Sequence, residues 1–169
     1  MNRKSLLGVV VVGVLLVTTA GLAQDAEPAP APAARLGAGG SFALGAPIFD
    51  FFAEVPTGDF TAFRFTLGTW FAFAGNMAFS LDGSFMIRLG EEGFQPYFGF
   101  GAGGLAVVAG GISGVAQINL SVNGLAGAYI AMSDTAGFFG QVRLLGLINL
   151  ANMQINALLM PGLGLYVMF

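Results

Sequence analysis

The sequence predicts an all-β fold: an antiparallel, up-and-down transmembrane β-barrel, with eight strands, preceded by a signal peptide. Three observations carry that expectation. Apolar and polar residues alternate with a period of two in one segment after another, which is the pattern of strands whose two faces meet different surroundings. Apolar residues make up 56% of the chain and charged ones only 9%, against about a quarter in soluble domains. Finally, every charge inside an alternating segment falls in that segment's polar phase. A basic residue on a lipid-facing wall near the midplane costs about 2–4 kcal/mol, so the segregation has a physical cause.

The chain opens with Arg3 and Lys4, an apolar run over 6–17, and the small residues of 18–23, the three parts of a secretory signal. Residues 1–23 are therefore read as a signal peptide cleaved after Ala23. A cut after Ala20 or Ala26 and an uncleaved membrane helix are the alternatives. Residues 24–34 alternate Ala and Pro, have no apolar face to bury, and form a semi-rigid spacer. The barrel then occupies 35–169.

The first strand, 35–44, sets Leu36, Ala38, Phe42 and Leu44 against Arg35 and Ser41, and Gly45-Ala46-Pro47 is a turn signal. A short second segment, 48–55, sets Phe49, Phe51, Ala53 and Val55 against Asp50 and Glu54. After the turn at 56–59, segment 60–74 faces its phenylalanines outward and Arg64, Thr66 and Trp70 inward. Segment 77–89 follows Gly75-Asn76 and turns Ser80, Asp82, Ser84 and Arg88 inward. An acidic turn, 90–93, leads to 94–108, whose inner face is small apart from Gln95 and Tyr97. The longest segment, 115–132, has Ile118, Leu120, Val122 and Ile130 on one side and Gln117, Asn119, Ser121, Asn123 and Tyr129 on the other. Segments 137–149 and 155–169 close the series, with Gln141, Arg143 and Tyr166 inward. In lipid an open sheet edge leaves backbone groups unpaired, so the strands close on themselves.

The inner phase holds the candidate site residues: a polar, ionic network of Arg35, Asp50, Glu54, Arg64, Asp82, Arg88 and Arg143. An eight-stranded barrel is just wide enough for side chains to fill, and charges buried there must pair. Gly37, Gly39, Gly99, Gly101 and Gly103 are expected to make room for large neighbours such as Trp70 and the arginines. Outward phenylalanines near strand ends, including Phe94, Phe138 and Phe169, suggest an interfacial aromatic belt. A net charge of −3 with no basic patch speaks against nucleic acid. The chain has no Cys and no His, which removes thiolate chemistry and imidazole from catalysis and metal binding. Neither a catalytic residue nor a cofactor is expected.

The chain resembles the small eight-stranded outer-membrane barrels, the OmpA/OmpX/OmpW-like group, over 35–169. The resemblance rests on QPYFGFGAG at 95–103, GAYIAMSDTAGFFGQVRLL at 127–145, and the terminal LGLYVMF at 163–169. It implies an outer-membrane location, lipid as the surrounding partner, and Phe169 as the signal read by the barrel-assembly machinery. Enzymes of this scaffold use histidine with serine or a carboxylate, and this chain has none. Its outer loops are short for the group, which counts against receptor and adhesion roles. A structural or membrane-integrity role in a monomer is expected first, and a narrow channel for ions or small molecules second. A soluble lipid-binding barrel is disfavoured, because the charges are too few to cover its surface.

Overall fold

The computed structural model describes residues 33–43, 45–71, 77–90, 93–108 and 115–169. The signal peptide, most of the spacer, Gly75-Asn76, Glu91-Glu92 and 109–114 lie outside the described residues. Eight strands form: β1 (Arg35–Ala43), β2 (Ala46–Pro56), β3 (Thr61–Phe71), β4 (Met77–Arg88), β5 (Phe94–Val108), β6 (Val115–Ala131), β7 (Ala136–Asn149) and β8 (Ile155–Met168). Each pairs antiparallel with the next, and β8 returns to β1, so the sheet is a closed barrel.

The register fixes the barrel's dimensions. From Arg35 the cross-strand pairing runs through Glu54, Arg64, Ser84, Gly101, Asn123, Leu145 and Leu158. The β8–β1 register, continued from Gly162↔Ser41, then carries Leu158 to position 45. One circuit therefore climbs 10 residues along β1, from 35 to 45. With a rise of about 3.3 Å per residue and strands about 4.8 Å apart, closure at that stagger requires a tilt of about 40° and a radius of about 8 Å. Such a barrel has an inside filled by side chains.

Several strand boundaries differ from the sequence reading, most of them by one residue. Ala46 and Pro47 are not turn residues: they pair with Ala43 and Phe42 in β2. The connection shrinks to 44–45, where Gly45 has φ +80°, a backbone that glycine adopts without a steric penalty. The second strand is not short, having the same 11 residues as β3. Phe60 belongs to the turn before β3, with its ring exposed.

The outer wall is apolar along its described length, with Leu36, Phe51, Leu67, Leu81, Phe100, Val122, Leu144 and Leu165 all exposed. The next residue inward from Leu144 is buried Arg143. Moving a charge by that single position should therefore be costly. Leu144→Arg is expected to lower stability by about 2–4 kcal/mol, read as a shifted urea midpoint of the barrel refolded in micelles. A shift below about 0.5 kcal/mol would mean that this wall does not face lipid.

Inside, rings and a methionine cover Gly37, Gly39 and Gly99, Ser84 and Asp82 cover Gly101 and Gly103, and Trp70 Nε1 comes within 3.4 Å of the Cβ position of Gly68. The Phe52 ring occupies the place a Gly37 side chain would take. The Phe139 ring lies across Gly39 and Gly164, 2.7 and 2.6 Å from where their Cβ atoms would sit. Tyr97 covers Gly127 at 2.8 Å, and Met86 Sδ covers Gly99 at 2.6 Å. Alanine at these positions would drive a methyl into a ring or thioether that has little room to retreat.

Candidate functional site

The seven inner charges are all buried, and the register sorts them into two clusters rather than one network. The first surrounds Glu54, at the end of the barrel where the chain enters and leaves. Glu54 and Arg64 face each other directly across β2 and β3. Glu54 Oε2 accepts hydrogen bonds from Arg64 Nε at 3.0 Å, Arg64 Nη2 at 2.9 Å and the Tyr129 hydroxyl at 2.7 Å. Glu54 Oε1 faces Arg35 Nη1 and Arg88 Nη1, each at 3.5 Å. One carboxylate thus answers three guanidinium groups. Exposed Asp59 and Asp134 stand in turns at the same end.

The sequence reading left the tyrosines out of this site, and the structure brings all three of them in. Arg64 Nη2 donates to the Tyr129 hydroxyl, and Arg35 stacks on the Tyr129 ring with Cζ 4.2 Å from its centroid. Arg64 lies 4.4 Å from the Phe52 centroid and 4.8 Å from that of Tyr97. Gln141 Oε1 accepts from Arg64 Nη1 at 3.1 Å and from the Tyr97 hydroxyl at 3.2 Å. Cation–π stacking of this kind is strongest where water is excluded. Tyr97, Tyr129 and Tyr166 all fall in the polar phase of their segments, which was the available signal.

The second cluster lies further along the barrel. Arg143 stands between Asp50 and Asp82, at 3.7 Å from Asp50 Oδ1 and 4.0 Å from Asp82 Oδ2. Those are ion-pair distances, too long for hydrogen bonds. Hydroxyls supply the hydrogen bonds instead: Ser41 donates to Asp50 Oδ2 at 2.9 Å, and Ser121 to Asp82 Oδ1 at 2.6 Å. Asn123 accepts from Ser84 at 3.0 Å.

Apolar side chains fill the remaining lumen. Phe52, between Asp50 and Glu54 on β2, is buried with Met86, Leu125 and Phe139. Toward the other end Ile48, Leu145 and Met160 are each 1% exposed, packed with Trp70, Leu147 and Leu158. The interior therefore holds its buried polar and charged side chains together with a comparable set of apolar ones. Charged and apolar groups alternate along its axis. Among the described residues no cluster of three or more carboxylates is arranged to hold a metal ion. Phe169 is 72% exposed, and its backbone N–H donates to the Ala34 carbonyl at 3.2 Å.

No protein-family model and no curated protein sequence matches the chain. Solved structures do. The N-terminal β-barrel domain of Pseudomonas aeruginosa OprF is similar at a TM-score of 0.61 and 19% identity, over 81% of this chain and 97% of that one. Neisserial surface protein A is similar at 0.59 and 14% identity, over 81% and 95% of the two chains. The outer membrane enzyme PagL is similar at 0.53 and 14% identity, over 79% and 98%. At these identities the likeness is one of fold, and the fold is that of the small outer-membrane β-barrels.

Proposed function

We propose that this chain is an outer-membrane protein with a sealed lumen and a structural, membrane-integrity role, surrounded by lipid and carrying no catalytic site. The observation that supports this reading is the burial of the lumen at every level. Arg64 is 1% exposed, Asp82 2%, and Leu145 and Met160 1% each. Side chains packed in this way support a closed lumen among the described residues, one that would open only if both charge clusters and the apolar layers beside them rearranged. The chain has no histidine, so a carboxylate here has no imidazole partner with which to activate a nucleophile. The likeness to PagL, at 14% identity, is one of fold. The exposed terminal Phe169 fits a contact with the assembly machinery, and the apolar wall fits a monomer in lipid.

The test is electrical. Purified, refolded protein in planar bilayers is expected to give no unitary conductance in molar potassium chloride. Reproducible steps that disappear in an Arg143→Gln variant would replace this reading with that of a narrow channel.

A further inference from the structure

The four connections at the end opposite the termini, 44–45, 72–76, 109–114 and 150–154, contain no charged residue. The turns at the terminal end carry Asp59, Glu91, Glu92 and Asp134. On the β7–β8 side the apolar wall also does not stop where the strands stop. Ile148 pairs with Ile155 on the outer face, and Ile155 is 74% exposed. The turn beyond them adds Leu150 and Met153, exposed by 50% and 72%.

That turn is built to hold its shape. Asn149 N–H donates to the Gln154 carbonyl at 2.9 Å, and Met153 N–H to the Asn149 carbonyl at 2.8 Å. Asn149 and Asn152 use their side-chain oxygens to accept from Ala151 N–H at 2.8 Å and Gln154 N–H at 3.1 Å. Met153 is held at φ 56°, a left-handed backbone that glycine or asparagine would adopt with less strain. A strained position that displays a long apolar side chain in the open needs a surrounding that rewards it. The N–H groups of Asn149, Ala151, Met153 and Gln154 are thus bonded within the turn, which lowers the cost of leaving water.

We propose that the β7–β8 turn is a lipid-docking element: Leu150, Met153 and Ile155 sit in the membrane's interfacial layer, and this side of the barrel does not emerge into water. The inference rests on the transmembrane reading and extends it to a part of the chain that ordinarily projects. Lipid is the partner because the patch is continuous with the lipid-facing wall and has no charge to meet an ionic surface.

The chain has no cysteine, so single cysteines can carry a nitroxide spin label without background. Met153→Cys, Leu150→Cys, Leu144→Cys and Asp59→Cys would be refolded into phosphatidylcholine vesicles, and their accessibility to oxygen and to a water-soluble nickel chelate compared. The label at 153 is expected to show an oxygen-to-nickel ratio several-fold above that at 59 and below that at 144, with 150 behaving alike. Labels at 150 and 153 as open to nickel as the one at 59, with 144 still protected, would overturn the inference and leave the barrel reading intact. A nickel-accessible label at 144 would sink the transmembrane reading itself.

Discussion

Glu54→Ala is expected to cost about 3–5 kcal/mol, the range seen when one partner of a buried ion pair is removed. The variant leaves Arg35, Arg64 and Arg88 facing one another in a space that no other inner carboxylate of the cluster reaches. Arginine cannot escape by losing its proton, so the uncompensated charge must be hydrated or the strands must separate. A loss of that size is a large fraction of the 5–15 kcal/mol that typically separates a folded domain from its unfolded chain. Glu54→Gln should fall between wild type and Glu54→Ala, because the amide oxygen still accepts from Tyr129 and Arg64 while the charge is gone. Urea titration of the refolded barrel, scored by the heat-modifiable gel shift, measures both. A Glu54→Ala midpoint within about 1 kcal/mol of wild type would show that the three arginines find other counter-charges.

The second cluster makes a different prediction, because its charges can be removed together. Arg143→Met should cost about 3 kcal/mol, toward the low end of the same range. It strands Asp50 and Asp82, but the distances of 3.7 and 4.0 Å show a loosely held pair of contacts. Adding Asp50→Asn and Asp82→Asn should recover most of the loss. Replacing a whole buried ionic group by neutral residues of similar size is often close to neutral, and the amides keep acceptors for Ser41 and Ser121. The decisive number is the coupling between the three substitutions. If the triple variant is as unstable as Arg143→Met alone, the guanidinium matters for its packing and not for its charge.

These two predictions mark how far the sequence could be read. Strand phase was legible because lipid and lumen demand opposite chemistry on the two faces, and Arg143 beside Leu144 illustrates the contrast. Pro47 misled because proline often marks a turn, yet it is tolerated near the start of a strand, and here the pairing with β3 begins only at the next residue, Ile48. Phe60 misled because an apolar ring next to a phenylalanine-rich strand is easily taken as its first residue, although it falls in the phase of Arg64 and not of Phe63 and Phe65. Grouping the charges was beyond reach. Glu54 is opposite Arg35 in one hairpin and Arg64 in the next, but Arg88 reaches it from two strands away, and Asp50, Asp82 and Arg143 meet only because the barrel closes. Phe52, Met86, Leu145 and Met160 occupy inner positions that alternation identifies, though nothing local says that the first two pack beside the Glu54 cluster and the last two beyond the Arg143 cluster.

The arrangement of aromatic side chains has a practical consequence. The single tryptophan and all three tyrosines are in the inner phase, while the outer wall carries phenylalanine alone among its described aromatic residues. Near-ultraviolet absorption, emission and circular dichroism therefore see the lumen almost exclusively. Loss of those signals reports the moment the Glu54 layer and the Trp70 layer come apart. A change confined to the lipid-facing wall, including a change of surrounding lipid, leaves them dark.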